Sequence, residues 1–304
     1  MPDARPNLST KDPTSTPSGA TPDGPPDPAT DPTAHAALQA WRDAYVARLT
    51  APDGWWAICG LHWLENGETV AGSAPDAGLP LPVPCPAHAA TFHRDGSRVT
   101  VVPAGTSSLW SDGAPLSEPV TIEQDGRAFA LGPKPDAPRF TVLLRGERRG
   151  VRTFDPARAS ARDPQREVAW YPLEPGWVVP ARFEPATDGE TVPVVNQLGD
   201  VMQTPAAGRL RFRLQGTEHA LLATWKGESL FVNLRDAGSG PESYGAGRFL
   251  DVAAPDSAAA NGATVLDLQR LHHPPCAHTP FATCPLPPLE NRLPFVVRAG
   301  ERTA

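Results

Sequence analysis

The chain has 304 residues, 40% of them hydrophobic, which is enough to build one large domain or two modest ones around a real core. Its 38 prolines and 26 glycines favour many short extended segments joined by turns over long helices. The formal net charge of −7 argues against nucleic acid or an anionic membrane as a partner, since both are recognised by basic surfaces.

No run of 18 apolar residues predicts a spanning helix, and the start of the sequence lacks the apolar segment of a signal peptide. We therefore expect a cytoplasmic protein without a membrane partner. Stable disulfides are rare in that compartment, so the four cysteines are predicted to be free thiols or ligands. Cys59 and Cys85 are predicted to be buried and to behave as small hydrophobic residues.

Residues 1–33 are rich in Pro, Thr, Ser, Asp and Gly, a composition that predicts a disordered tail. A helix is predicted next, with Thr33 as its N-cap and its end near Thr50. Its apolar residues fall on one stripe with a 3.6-residue period: Leu38, Trp41, Tyr45, Val46 and Leu49. The aromatic run Trp55 to Leu64 is predicted to anchor a core, with an aromatic binding wall as the alternative.

Residues 34–156 are predicted to form the helix followed by a β-sandwich. Short alternating segments indicate strands at Ser97–Val102, Val120–Glu123, Ala128–Leu131 and Phe140–Arg145. Asp-Gly pairs at residues 95, 112 and 125 predict hairpin turns. The order of these turns and strands resembles a forkhead-associated sandwich. The Gly-Arg pair with which such domains hold phosphothreonine is Gly72-Ser73 here, so phosphopeptide binding is not expected.

Residues 157–304 are predicted to form a second antiparallel β unit that a proline-rich loop closes. Its predicted strands are Val178–Phe183, Arg209–Leu214, His219–Thr224, Leu230–Leu234 and Thr264–Leu268. In the second of these strands, leucine and phenylalanine alternate with arginine, which predicts one buried face and one solvated face. The fold class is therefore mainly β: an N-terminal helix, a forkhead-associated-like β-sandwich and a second antiparallel β unit.

The segment Pro274–Pro294 carries prolines at 274, 275, 280, 285, 287, 288 and 294. Prolines at this density exclude a helix and a central strand. The segment also contains Cys276, Cys284 and the triplet Glu290-Asn291-Arg292, a mixture unlike that of a disordered linker. We predict a rigid loop that lines a site.

Three segments together resemble the DUF1684 family of uncharacterised bacterial proteins. They are Leu61 to Leu64, Arg235 to Leu250, and Leu266-Asp267 with the proline-rich segment up to Pro294. The resemblance covers roughly residues 38–302 and implies no established activity. The family usually has Phe-Asn-Arg-Ala-Tyr-Asn before Pro-Pro-Cys, whereas this chain has Leu-Gln-Arg-Leu-His-His at 268–273. The resemblance therefore assigns no ligand contact to residues 268–273 of this chain.

Glycines flank Ala246 in the segment Tyr244 to Arg248, which indicates either a turn or a close approach to a ligand. The guanidinium of Arg248 suits a carboxylate or phosphate. The motifs also contain four carboxylates suited to acid–base work or a divalent cation: Asp236, Glu242, Asp267 and Glu290. Ion pairs with nearby arginines are the alternative: Arg235, Arg248, Arg270 and Arg292.

The cysteines of the proline-rich segment permit three hypotheses. Cys276, His278 and Cys284, with His272 and His273, contain the S and N ligands that zinc prefers, but C-x-H-x5-C matches no standard knuckle. A cysteine nucleophile would need a histidine close in space. Structural thiols are the favoured interpretation, and no metal site is assigned. The sequence contains no G-x-S-x-G elbow of a serine hydrolase.

We expect a protein that binds a small anionic ligand in a C-terminal pocket, with an enzyme of unknown reaction as one form of that hypothesis. The predicted ligand-binding residues are Tyr244, Arg248, Cys276, Glu290, Asn291 and Arg292. Alternatives are a protein-interaction module with a non-catalytic forkhead-associated-like domain and a metal-dependent hydrolase. An enclosed polar pocket at Arg248 and Asn291 favours a ligand, and an exposed apolar patch on the first unit favours interaction. Cofactor and oligomeric state are left unassigned.

Overall fold

A computed structural model describes residues 25–105, 109–255 and 262–304. Most of the predicted tail, residues 1–24, lies outside the described residues. The segment just before the first helix contacts the C-terminal half, because the Asp27 carboxylate accepts a hydrogen bond from the Gly176 backbone at 2.8 Å. Within the described ranges, no helix is long and apolar enough to span a membrane.

Helix α1 spans Pro32–Thr50. Its N-cap is Asp31, whose carboxylate accepts hydrogen bonds from the backbones of Thr33 and Ala34 at 2.7 and 3.2 Å. The cap predicted at Thr33 is therefore wrong by two residues, since an aspartate followed by proline is the stronger start signal. The predicted apolar stripe is confirmed for the three buried residues of the helix: Leu38, Tyr45 and Leu49.

The first β unit is a sandwich of two sheets. Its strands are Ile58–Trp63 (β1), Gly67–Gly72 (β2), Leu79–Pro80 (β3), Ala90–Asp95 (β4), Arg98–Pro103 (β5), Trp110–Ser111 (β6), Ala114–Pro115 (β7), Val120–Ile122 (β8), Ala128–Ala130 (β9), Arg139–Arg145 (β10) and Arg148–Phe154 (β11). One sheet has the order β1-β11-β10-β9-β6-β7 and the other β3-β2-β4-β5-β8. All pairings are antiparallel except that of β2 with β3.

The two sheets share one apolar core. Phe92 of β4 meets Phe140 of β10 edge to face, with ring centroids 5.3 Å apart, and both side chains are completely buried. The hairpin predicted at Asp95-Gly96 is confirmed between β4 and β5. The hairpin predicted at residues 125–126 is wrong, because β8 and β9 belong to different sheets. There the Asp125 carboxylate instead accepts a hydrogen bond from the Leu144 backbone.

Two short helices and one short strand connect the two β units. The elements are Pro156–Ser160 (α2), Pro164–Glu167 (α3) and Ala169–Trp170 (β12). Asp155 and Asp163 cap the two helices, and each is followed by proline. The repeated Asp-Pro pair was therefore the sequence signal for these helices.

The second unit is one strongly curved antiparallel sheet, hereafter the barrel sheet. Its strands are Val178–Pro185 (β13), Thr191–Val195 (β14), Val201–Leu214 (β15), Thr217–Lys226 (β16), Ser229–Leu234 (β17), Arg248–Val252 (β18) and Ala263–Asp267 (β19), and Glu301–Arg302 (β20) pairs separately with β12. The strand order is β18-β17-β16-β15-β13-β19. Strand β14 pairs with residues 201–205, at the start of β15. Phe249 of β18 also exchanges two backbone hydrogen bonds with His272, at 2.8 and 3.0 Å, which closes the sheet on itself.

The alternation predicted for residues 209–214 is confirmed. Leu210 and Phe212 are buried in the barrel core, while Arg209 and Arg211 lie on the outer face. These arginines are paired rather than simply solvated, since Arg211 contacts Glu184. The strand itself begins at residue 201, earlier than the predicted residue 209, and it includes Pro205.

The proline-rich segment Pro274–Pro294, hereafter the proline-rich loop, contains only two 3₁₀ turns and isolated bridges, as predicted. It crosses the outer face of the barrel sheet. The Asn233 amide of β17 donates to the carbonyl of Pro285 at 2.7 Å, and the Leu286 backbone donates to Val195 at 2.7 Å. The loop is thus held between the face of the barrel sheet and the β14–β15 hairpin.

Candidate functional site

Arg248 lies in the interior rather than at a pocket, with 1% of its side chain exposed. Its Nη2 donates to Oδ2 of Asp236 at 2.6 Å and to the carbonyl of Val297 at 2.8 Å. Its Nη1 donates to the carbonyls of Ala299 and Glu301. The guanidinium that was predicted to hold an anionic ligand therefore binds a carboxylate of the chain itself and the C-terminal backbone.

Asn291 and Tyr244 attach loops to the protein body. The Asn291 amide accepts from the Leu222 backbone at 2.6 Å and donates to the carbonyls of Leu222 and Asn233 at 2.9 Å. The Tyr244 hydroxyl donates to the carbonyl of Cys276 at 3.0 Å, and burial raises the pKa of Tyr244 to about 12. Both side chains have their hydrogen-bonding groups engaged within the chain.

The charged pair at the end of the loop is more exposed. Glu290 contacts Nε of Arg209 at 3.1 Å, and Arg292 is exposed, with its backbone bridged to that of Arg235. All four motif carboxylates form ion pairs with arginine: Asp236 with Arg248, Glu242 with Arg298, Asp267 with Arg270, and Glu290 with Arg209. Tyr244 thus contacts Cys276, whereas Arg248, Asn291 and Glu290 each bind a different part of the chain.

Cys276 and Cys284 are adjacent free thiols. The Cys276 backbone donates to Sγ of Cys284 at 3.2 Å, and the Gln197 amide donates to Sγ of Cys276 at 3.1 Å. The hydrogen bond between the two thiols lowers the pKa of Cys276 to about 7 and raises the pKa of Cys284. Cys59 and Cys85 are partly buried rather than fully buried as predicted.

The histidines near the thiols do not complete a metal site. In the part of the chain that the structure describes, no three His, Cys, Asp or Glu side chains are grouped so as to hold a metal ion. The ring of His278 lies instead between Trp56, whose Nε1 donates to Nδ1 at 3.2 Å, and the Tyr45 hydroxyl, 3.1 Å from Nε2.

These contacts belong to a buried network around Glu301. Its Oε2 accepts from the Tyr45 hydroxyl at 2.8 Å and from the His273 backbone at 2.6 Å. His273 Nε2 accepts from the Tyr244 backbone at 3.2 Å, so its proton lies on Nδ1, 3.3 Å from Oε1 of Glu301. Burial raises the pKa of Glu301 to about 7 and lowers that of His273 to about 3 and that of His278 to about 4.

A cavity of about 660 Å³ lies beside this network, between α1 and the outer face of the barrel sheet. We call it the aromatic groove. Its walls carry rings that are partly or largely exposed: Trp41, Trp55, Trp225, Phe231 and Phe249. Trp225 has 53% of its surface exposed, which is unusual for tryptophan in a strand. Partly exposed rings around a cavity are typical of a site that stacks on a flat ligand.

The charged groups of the aromatic groove are mainly positive. Arg48 is exposed and makes no ion pair within the described residues, whereas Lys226 pairs with Asp251 at 2.9 Å. His272 also lines the groove, and burial lowers its pKa to about 4, so its ring is neutral. Its Nδ1 lies 3.1 Å from the carbonyl of Arg270, which leaves Nε2 as the acceptor nitrogen.

The sequence offered one indication of this groove. The aromatic run beginning at Trp55 had a binding wall as its alternative interpretation. Trp41, Trp225 and His272 come from distant parts of the chain, so local patterns did not connect them. Pro275 and Pro285 of the proline-rich loop line the aromatic groove.

Residues 165–302 match the model of a family described as a protein of unknown function, DUF1684. This segment belongs to the DUF1684 family. The DUF1684 segment contains the barrel sheet and the proline-rich loop, but not α1 or the sandwich, so the match is shorter than the expected 38–302. The aromatic groove lies where α1 and Trp55 meet the DUF1684 segment.

One solved structure similar to this chain is the solution NMR structure of an uncharacterized protein of Haloarcula marismortui. The two share 27% identity over 45% of this chain and 76% of the other, with a TM-score of 0.39. No curated protein matches the sequence.

Proposed function

We propose that this protein binds a small anionic ligand with a planar ring in the aromatic groove. The observation that carries the proposal is the unpaired cation Arg48 at a cavity walled by partly exposed tryptophan and phenylalanine rings. A guanidinium can make two parallel hydrogen bonds to a carboxylate, sulfonate or phosphate. Each ring that stacks on the ligand contributes roughly 0.5–1.5 kcal/mol beyond the burial of its area.

The charge and size of the groove agree with such a ligand. Its two cations outnumber its single carboxylate, Asp251, and its histidines are neutral. Its volume of about 660 Å³ lies in the range of roughly 300–1,000 Å³ that small-molecule sites occupy. Nε2 of His272 adds a neutral acceptor for a hydroxyl or amine of the ligand.

This proposal keeps the ligand class expected from the sequence and moves the site. An enzyme of unknown reaction remains one form of it, and His272 is the groove histidine with a nitrogen still available. His273 has both ring nitrogens engaged, with the Tyr244 backbone and with Glu301. A base in this groove would therefore have to be His272, whose low pKa makes it a weak one.

The sandwich supports the interaction alternative less well. Among the described residues, most exposed large apolar side chains lie in the second unit, and those of the sandwich are Val70 and Val83. A two-sheet sandwich agrees with the forkhead-associated-like architecture, which stays a proposal, as does the division at residue 156. The Ser73 hydroxyl donates to the carbonyl of Cys85, so it offers no substitute for an arginine that holds phosphate. Free thiols support a cytoplasmic location.

The test uses 8-anilinonaphthalene-1-sulfonate, an anionic aromatic probe, and titrates its fluorescence against wild type, Arg48→Ala and Arg98→Ala. Arg98 is the matched control because it is also exposed and unpaired within the described residues, and it lies in β5, outside the groove. We expect Arg48→Ala to weaken binding about 10-fold, the loss of one charge-assisted contact of about 1.4 kcal/mol. Equal affinities of the two variants would overturn the proposal.

A further inference from the structure

A second cavity, of about 350 Å³, lies on the other side of the proline-rich loop. Phe231 and Pro285 line both this cavity and the aromatic groove, so they separate the two. The sandwich contributes Leu144 and Arg145, and the remaining walls come from the barrel sheet and the loop. We call it the amide cavity, because three asparagine side chains line it: Asn196, Asn233 and Asn291.

Two of these three amides are satisfied by the chain itself. Asn291 pairs with the backbone of Leu222. The Asn196 oxygen accepts from the backbones of Leu198 and Asp200 at 2.8 and 3.0 Å, and its nitrogen donates to Asp200. Neither amide therefore needs a ligand.

Asn233 differs from the other two. It has 6% of its surface exposed, and its Nδ2 donates to the carbonyl of Pro285 at 2.7 Å. That bond fixes the orientation of the amide, because the carbonyl can only accept. Oδ1 of Asn233 is buried and has no hydrogen-bond partner among the described residues. A buried acceptor without a donor is costly, so an N–H or O–H group from outside the chain is expected there.

The rest of the lining shows which donor fits. Most of it is apolar, and among the described residues Arg145 is the only ionisable one that lines it. Arg145 is already paired with Asp125, at 2.5 Å, so the cavity has no unbalanced charge with which to attract an ion. A charged ligand would lose its hydration without gaining a counter-charge.

We propose that the amide cavity binds a neutral, mainly apolar small molecule that donates one N–H or O–H hydrogen bond to Oδ1 of Asn233. This site is distinct from the aromatic groove, and the two ligands differ in charge. A single trapped water is the competing occupant, since water also donates. Water would satisfy Oδ1 but would leave the apolar walls without a partner.

The experiment compares two uncharged probes of nearly equal size. N-phenyl-1-naphthylamine carries one N–H donor and becomes fluorescent in apolar surroundings, whereas phenyl 1-naphthyl ether has no donor and is measured by displacement of the amine. Wild type is expected to bind the amine on the order of 10-fold more tightly than the ether, the value of one hydrogen bond. Failure to bind the amine, or equal affinities for the two probes, would overturn the proposal and leave water as the occupant.

Variants locate the binding. Asn233→Leu should bind both probes equally, and this ratio does not depend on a modest loss of stability. Leu144→Trp places a larger ring at the sandwich wall and should reduce amine binding at least 10-fold, while Val265→Trp, at an exposed position outside the cavity, should not. Amine binding that survives Leu144→Trp, or an amine preference that survives Asn233→Leu, would contradict the proposal.

Discussion

The Tyr45 hydroxyl of α1 donates to Oε2 of Glu301 at 2.8 Å and so joins residues 256 positions apart in the sequence. Both side chains are almost completely buried. This bond holds α1 against the C-terminal strand and thereby sets one wall of the aromatic groove opposite the other. The groove consequently depends on the helix that precedes the sandwich as well as on the DUF1684 segment.

Removal of that hydroxyl should destabilise the fold. Tyr45→Phe leaves the buried carboxylate of Glu301 with one donor fewer, and we expect a loss of about 1–3 kcal/mol in the free energy of unfolding. Tyr171→Phe is the matched control, because its hydroxyl contacts the more accessible Glu242 at 3.3 Å. Urea unfolding measures both changes. Equal losses of unfolding free energy in the two variants would show that the Tyr45–Glu301 hydrogen bond stabilises the fold no more than the Tyr171–Glu242 contact does.

Stability should fall as the pH is lowered from about 6.5 towards 4.5. His272, His273 and His278 have pKa values lowered by burial to about 4, 3 and 4, so below pH 6.5 the unfolded chain binds protons that the folded chain does not. Glu301, with its pKa raised to about 7, acts in the opposite direction and offsets about one of these three protons. Urea unfolding at several pH values tests this, and constant or rising stability on acidification would refute it.

The buried pair of Arg248 and Asp236 should be structural rather than part of a ligand site. Arg248→Ala leaves Asp236 without its counter-charge in the interior, and a loss of about 3–5 kcal/mol is expected. Arg298→Ala, which breaks an exposed pair with Glu242, should cost at most about 1 kcal/mol. Thermal unfolding compares the two. A small effect of Arg248→Ala on stability would contradict this structural role and favour the predicted role of Arg248 in binding an anionic ligand.

Cys276 should be the thiol that reacts first. Its pKa of about 7 leaves a large thiolate fraction at pH 7.5, whereas burial raises the pKa values of Cys59 and Cys85. Alkylation by iodoacetamide, followed by peptide mass spectrometry, should label Cys276 at least several-fold faster than the other cysteines. Gln197→Ala, which removes the donor to Sγ of Cys276, should slow the labelling. Uniform rates would contradict this assignment.

The sequence predicted the strands best where side chains alternate strictly. Residues 209–214 lie in a strand with the predicted face buried, and the strand predicted at 97–102 is shifted by one residue. The predictions were wrong where a local pattern has two structural outcomes. The Asp-Gly pair at 125 is compatible with a turn within one sheet and with a turn between two sheets, and here it connects two sheets.

The site was harder to predict than the fold for a physical reason. A motif rich in arginine and carboxylate has the same sequence pattern whether its charges pair with each other or bind a ligand. For Arg248 the chain supplies the counter-ion, and for Arg48 it supplies none among the described residues. Only the three-dimensional arrangement distinguishes these two cases, since the residues around Arg48 come from α1, the barrel sheet and the proline-rich loop.

The charge preference of the aromatic groove distinguishes an anionic ligand from a neutral one. The measurement is the ratio of affinities for 1-naphthalenesulfonate and uncharged 1-naphthalenemethanol, by calorimetry, in wild type, Arg48→Glu and Arg98→Glu. Wild type and Arg98→Glu should prefer the sulfonate by about 10-fold, and Arg48→Glu should lose or reverse that preference. Equal affinities for the two compounds in wild type, or an unchanged preference in Arg48→Glu, would contradict the proposal of an anionic ligand.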